Sequence, residues 1–393
     1  MGHMPGSGPW PYTVLSEADL DHHLGRLSEH CIVEGADCVS LQPVPMLDAN
    51  QDRYVVQKWQ LPGSAGPWRL FAIFDGHAGH DTVDHTEREL PPLLQSRLEA
   101  ALSAAAGAAL PPAAVADVLR SGISEFDDGL TRSLTDLFPG GPQAIARLSD
   151  EDIRAATTDE DGNPVDVIRR CMTGTTALVA LVDPARNLYV ASVGDCQAVL
   201  GLQDSAGTWD ASILSANHHG MDEAEAARVR SEHPGEDECI LNDRVLGRCA
   251  ITRAVGDQLY KLPAIYGDRV FRTAMPGGHI VRTLHETLPR NLTPPYLSNA
   301  ADVRHVDLSA TGAQKTVLVM ASDGLVNQFS GEILSRDAAR EWIEVAGGAG
   351  EKPALALLRR ALGGDDVEKV SAMLTVEMEE RWMDDTTIVV AQL

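Results

Sequence analysis

Leu70-Phe71-Ala72-Ile73-Phe74-Asp75-Gly76-His77 is an apolar run that ends on a carboxylate, followed by a glycine and a histidine. A short apolar run bounded by turn formers reads as a strand buried on both faces. Asp75 therefore stands where a rigid sheet holds a side chain at its end. The same pattern recurs along the chain. Asp195 ends Tyr189-Val190-Ala191-Ser192-Val193-Gly194, Asp323 ends Val317-Leu318-Val319-Met320-Ala321-Ser322, and Asp384-Asp385 precede the run 386–390. One Asp-Gly after a strand is an ordinary turn. Several acids at strand ends are different, because strands can converge them on one point. Their repulsion then requires a hard divalent cation, and an all-oxygen donor set suits Mg²⁺ or Mn²⁺ before Zn²⁺.

Working outward, strands are predicted near 53–59, 69–74, 175–182, 188–193, 197–202, 316–321 and 386–391. Long stretches rich in Ala, Leu, Glu and Arg, 80–109 and 113–137, predict helices, with Pro91-Pro92 and Pro111-Pro112 expected to interrupt them. A second helical block, 331–374, is broken at Gly347-Gly348 and Gly363-Gly364. Strands, helices, strands, helices and a last strand imply α+β with largely antiparallel sheets, not a doubly wound parallel sheet. Residues 1–30 read as an N-terminal extension that starts with the tag remnant Met1-Gly2-His3-Met4 and carries a helix. Residues 31–393 read as one domain with helical insertions and a Pro-rich surface excursion near 276–299.

With 32 Lys and Arg against 57 Asp and Glu, the formal charge is −25. That excludes the basic stripe of a nucleic-acid binder and disfavours an anionic membrane surface. No run approaches the roughly 18 apolar residues of a membrane span. The six cysteines form no CxxC pair and read as incidental thiols. His218-His219 is expected to be a polar loop entering a helix, the stretch 223–230 a solvated helix face, and Trp59, Trp68 and Trp209 core.

Phe74-Asp75-Gly76-His77-Ala78-Gly79, Thr173-Gly174-Thr175-Thr176, Val193-Gly194-Asp195, Thr252-Arg253-Ala254-Val255-Gly256-Asp257, Ala321-Ser322-Asp323-Gly324 and Asp384-Asp385-Thr386-Thr387 run in one order, after Asn50-Gln51-Asp52-Arg53-Tyr54. Together they resemble the motif series of the metal-dependent serine/threonine protein phosphatases, the type 2C or PPM family. The resemblance implies a four-layer α-β-β-α sandwich, two central antiparallel sheets flanked by helices, with a dinuclear metal cleft at one end. It implies two Mg²⁺ or Mn²⁺ ions held by Asp52, Asp75, Gly76, Asp323 and Asp384, with Asp195 and Asp323 available to a third. It further implies that a metal-bridging hydroxide attacks a phosphoserine or phosphothreonine of a protein substrate, Asp52 and Asp75 serving the metals and His77 protonating the leaving oxygen.

Three residues depart from the pattern. Gln51 stands where the family usually has Glu, Asn327 where a further acid would serve a third metal site, and Leu47 where many members carry a phosphate-binding Arg. Arg53 and Arg253 are the sequence-level candidates to grip the phosphate instead. Arg244, Arg248 and Arg253 near the cleft edge are either phosphopeptide contacts or ordinary surface arginines. The departures also leave open a pseudophosphatase scaffold that binds a partner without turnover, and a small-molecule phosphomonoesterase. Residues 201–209, 222–234 and 292–297 resemble the pyruvate dehydrogenase phosphatase branch, which leaves the location open between mitochondrial matrix and cytoplasm. The net charge favours substrates with basic residues near the phosphate.

Overall fold

The computed structural model describes residues 10–42, 49–275, 277, 279–378 and 381–393. Among these, two large sheets stack face to face. The first is six-stranded and entirely antiparallel, ordered Cys31–Val33, Ala36–Leu41, Thr386–Gln392, Lys315–Ala321, Gln197–Gln203, Trp209–Ile213. The second is seven-stranded. It centres on Trp68–His77, which pairs with Asp52–Trp59, Gly174–Thr175 and Ala177–Val182; it extends on one side from Gly174–Thr175 to Val255–Gly256 and on the other through Asn187–Val193 to Asp302–Asp307.

Strand periodicity explains the layering, since successive side chains point to opposite faces. In Trp68–His77, Phe71 and Ile73 enter the layer between the sheets, while Leu70, Ala72 and Phe74 face the helices Asp81–Ala104 and Pro112–Thr135. In Lys315–Ala321, Leu318 and Met320 meet them from the first sheet, and Val317, Val319 and Ala321 face the helices Arg336–Gly348 and Pro353–Leu362. Each of the larger of these side chains contributes about 1.5–3 kcal/mol by leaving water. The expected four layers are therefore present, and the uninterrupted apolar runs follow from burial on both faces.

Two local expectations need correction. Pro91 and Pro92 lie inside the single helix Asp81–Ala104 rather than ending it. Neither can donate a helical N–H bond, but Leu90, Leu94 and Leu98 are fully or almost fully buried on the sheet, and this packing outweighs the local loss. The stretch 223–230 is not simply solvated: within Glu223–Glu232, Glu225, Ala226 and Val229 are buried. The glycine and Pro111-Pro112 breaks do separate helices. Trp59 and Trp68 are buried, and Trp209 packs against Gly347, where a Cβ would lie 2.4 Å from its ring. None of the six cysteines forms a disulfide.

The helix Glu17–Leu27, capped by Ser16, buries Leu20 and Leu24 in the first sheet's outer core. The segment 276–299 contains the helix His279–Thr287, and Leu284, Tyr296 and Leu297 join a further apolar cluster with Leu134, Ile168, Val229 and Phe271. That cluster carries the second wall of the cleft described next.

Candidate active site

Four acids reach one end of the sandwich because strands end there. Asp52 opens its strand and is the antiparallel partner of Asp75. Asp195 sits in the turn between Asn187–Val193 and Gln197–Gln203, entered through Gly194 at φ 98°. Asp323 is the first residue of the helix that follows Lys315–Ala321. Asp75, Asp195 and Asp323 each offer a carboxylate oxygen, and these oxygens lie within 4.8 Å of one another. Asp384 lines the same cleft, ahead of Thr386–Gln392. Asp385 does not join them: it accepts hydrogen bonds from the Gln51 amide at 2.7 Å and Gln42 Nε2 at 2.6 Å, tying strand to loop.

The electrostatics are those of buried acids that repel one another. Burial, then the charges of Asp323, Asp52, Asp195 and Asp384, pushes the Asp75 carboxyl well above the usual range. Burial and Asp323 do the same to Asp195. Burial, with Asp384 adding, raises Asp323 to about 6. Asp52 is raised to about 8, chiefly by burial, although Ser322 Oγ donates to its Oδ2 at 2.7 Å. Its Oδ1 is buried without a hydrogen-bond partner. An orphaned carboxylate oxygen beside a cluster of mutually repelling oxygens fits hard divalent cations. Gly76, beside Asp75, is packed so closely that a Cβ would fall 2.6 Å from the Gln51 carbonyl oxygen.

His77 is partly exposed at the cleft, and its Nε2–H donates to Asp257 Oδ2 at 2.6 Å. Burial alone would lower the imidazole pKa, but the charge and hydrogen bond of Asp257 outweigh it and raise the value above normal. Asp257 is buried at φ 54°, just after Val255-Gly256 and before a short helical turn. Gly174 makes room for the pair: a Cβ there would lie 2.2 Å from Asp257 Oδ2 and 2.4 Å from His77 Nε2. Asp257 closes the sequence motif Thr252–Asp257, in which no role is expected of it. The only local signal was a single acid in the otherwise apolar Ala254-Val255-Gly256-Asp257.

The cleft has a volume of about 750 Å³. The carboxylates and His77 form one side, and Arg244, Arg248, Ile251, Tyr260, Met275 and Ile280 contribute to the other. Arg53 and Arg253 are not among its lining residues. Arg53 donates to Asp84 at 2.9 Å and to the Asn50 and Asp52 carbonyls. Arg253 is paired with Glu225 at 2.6 Å and contacts Asp302. Asn327 is exposed on the helix Asp323–Ser330, and Leu47 lies outside the described residues. Gln51 Oε1 accepts a bond from the Gly79 amide at 3.2 Å. His218 and His219 lie, as expected, in the connection entering the helix Glu223–Glu232, but both are buried; His218 bridges the Gly194 amide and Asp302.

The family model described as protein phosphatase 2C matches residues 133–355, more than half of the chain. A protein phosphatase 2C homolog of Schizosaccharomyces pombe is 26% identical over 359 residues, covering 83% of this chain and 73% of that protein. The human mitochondrial protein named pyruvate dehydrogenase (acetyl-transferring) phosphatase 2 is 30% identical over 257 residues, 55% of this chain. The chain spans about half of that relative's length, the matched share being 47%. A crystal structure of serine-threonine phosphatase 2C from Toxoplasma gondii superposes with a TM-score of 0.52 at 16% identity, covering 92% of this chain and 97% of the other. At that identity the likeness speaks for the fold.

Proposed function

Because the chain belongs to the protein phosphatase 2C family of serine/threonine protein phosphatases, we propose that it hydrolyses phosphoserine and phosphothreonine in protein substrates with Mg²⁺ or Mn²⁺ bound at the carboxylate cluster. The observation that carries this reading is the meeting of Asp75, Asp195 and Asp323 within 4.8 Å in the cleft that also holds the His77–Asp257 pair.

Asp52, Asp75, Asp323 and Asp384, with the Gly76 carbonyl, are the residues that would hold two ions, and Asp195 is available to a third. When bound, such ions act as Lewis acids that activate water for attack on phosphorus and offset the phosphate charge. The remaining chemistry belongs to the protein. The departing serine or threonine oxygen is a poor leaving group unless protonated, so a donor titrating near neutrality is required. With Nε2–H committed to Asp257, His77 holds the transferable proton at Nδ1. The charge and hydrogen bond of Asp257 shift the imidazole toward its protonated form, against the effect of burial.

Two measurements test this together. Calorimetric titration of chelator-stripped protein with Mn²⁺ is expected to show at least two bound equivalents. A phosphothreonine peptide is expected to be hydrolysed with Mn²⁺ and not with EDTA. Phosphopeptide binding without turnover at saturating Mn²⁺ would instead identify a pseudophosphatase. Sugar or nucleotide phosphates turned over in preference to peptides would identify a small-molecule phosphatase. The mitochondrial relatives make phosphorylated pyruvate dehydrogenase the first protein substrate to assay. They also make the mitochondrial matrix the first location to examine beside the cytoplasm. No described helix is long and apolar enough to cross a membrane.

A further inference from the structure

Four arginines line the described part of the cleft, and three are already balanced by acids. Arg169 pairs with Asp81 at 2.8 Å and with Asp166. Arg248 pairs with Glu286 at 3.2 Å, and Arg381 with Asp384 at 3.0 Å and Asp385 at 2.5 Å. Arg244 is different. Among the described residues no carboxylate lies within 4.0 Å of it, and its one side-chain hydrogen bond, from Nη1, goes to the Arg248 carbonyl at 3.1 Å. In a chain with 57 acids, an exposed arginine that meets none of them in a cleft leaves its charge for something that enters.

The mount of Arg244 is rigid. Ile240–Leu241 and Arg244–Val245 form a two-residue hairpin whose connecting Asn242 and Asp243 have φ of 52° and 59°, the pattern of a type I′ turn. Val245 and Leu246 are fully buried. Gly220 packs so closely that a Cβ would fall 2.0 Å from the Asp243 carbonyl oxygen. The backbone of Arg244 is thus held by packing on both sides while its guanidinium stays exposed, as a recognition group requires. Ile251, Tyr260, Met275 and Ile280 line the same cleft and give an entering peptide apolar surface.

We propose that Arg244 receives a second anionic group, a carboxylate or another phosphate, borne by the substrate chain near the scissile phosphoserine or phosphothreonine. The inference rests on the phosphatase reading of the same cleft and names its substrate class. It runs against the expectation from net charge, and screening explains why. At physiological ionic strength the Debye length is about 8 Å, so most of the −25 is damped while a group touching Arg244 is not. Overall charge governs approach, and the contact governs selection.

The test uses phosphothreonine peptides that differ at flanking positions, with Glu, a nonhydrolysable phosphonate residue, or Ala. With Mn²⁺ present, kcat/KM is expected to favour an anionic flank over Ala by about tenfold, the scale of one charge-assisted hydrogen bond. Arg244→Ala is expected to bring that ratio close to one, and Arg244→Glu to invert it. Because each ratio is taken within one protein, a general loss of activity or fold does not imitate the result. Preference for the phosphonate alone identifies a second phosphate as the recognised group; preference for both identifies charge. A wild-type ratio near one, or a ratio unmoved in both variants, overturns the proposal. If no peptide is hydrolysed, the phosphatase reading fails, and fluorescence anisotropy of the same peptides still decides whether Arg244 selects the anion.

Discussion

His77 Nε2 lies 2.6 Å from Asp257 Oδ2, although the two residues are 180 positions apart in the chain. The carboxylate orients the imidazole and holds its pKa above normal against the effect of burial. In Asp257→Asn the largest raising influence is lost and burial is opposed only by the charges of Asp195 and Asp323, so the His77 pKa falls and the protonated form is lost at lower pH. Turnover of a phosphothreonine peptide is expected to drop by about a hundredfold, and its alkaline limb to move to lower pH. An aryl phosphate, whose leaving group needs little protonation, is expected to lose far less. Equal losses on both substrates would argue against a proton-donor role.

Gly174→Ala tests the same pair from the side. The new Cβ would sit 2.2 Å from Asp257 Oδ2 and 2.4 Å from His77 Nε2, so the pair is expected to be displaced from its present geometry. The peptide-selective loss of Asp257→Asn is expected again, with about 1–3 kcal/mol of destabilisation from overpacking. Thermal melts and the two-substrate comparison check it.

The acid cluster trades stability for binding. A carboxyl raised to about 6 in the fold, as for Asp323, binds protons more readily folded than unfolded. Its effect on stability is therefore neutral well below the ordinary value of 3.8 and increasingly unfavourable as pH rises from there through 6. Asp52, raised to about 8, extends the same penalty to higher pH, so metal-free protein is expected to melt lower at pH 8 than at pH 6. Asp323→Asn is expected to gain roughly 1–3 kcal/mol at pH 8 in EDTA while losing the Mn²⁺-induced rise in melting temperature. Melting curves with and without Mn²⁺ measure both.

Glu225 behaves in the opposite sense. Although burial would raise its pKa, hydrogen bonds from Arg253, Arg228 and Thr252 hold it well below the ordinary 4.5. Its stabilising contribution is complete above that ordinary value and is lost as pH falls toward the depressed one. Glu225→Gln is expected to cost about 3 kcal/mol at pH 7 by leaving two arginines without their buried partner. The difference from wild type should shrink in acid, as denaturant midpoints at pH 7 and pH 3 would record.

Much of the site was legible because a strand end is written in consecutive residues. Asp75, Asp195 and Asp323 each close an apolar run, and a run buried on both faces is what a layered sandwich demands. Period two also carried a warning about Arg53: next to Asp52 on one strand, it must point to the other face, where it meets Asp84. Arg253 could not be read so, because its partner Glu225 belongs to a helix whose buried face the sequence does not announce. The helix through Pro91-Pro92 was hidden for a related reason. Local chemistry argues for a break, and only the leucines packed on the sheet overrule it.

The sequence by itself determined the central strands and the main helical blocks, an α+β architecture with largely antiparallel sheets, and the acids that end the strands, because alternation, turn formers and apolar runs are local signals. Tertiary structure alone decided that His77 meets Asp257, that Gly174 is the residue making room for them, and that Arg244, alone of the cleft arginines, meets no acid among the described residues. Those facts depend on which distant segments the closing of two sheets brings within a few ångströms. Hydrogen bonds and ion pairs act only at that range, and no spacing along the chain encodes it.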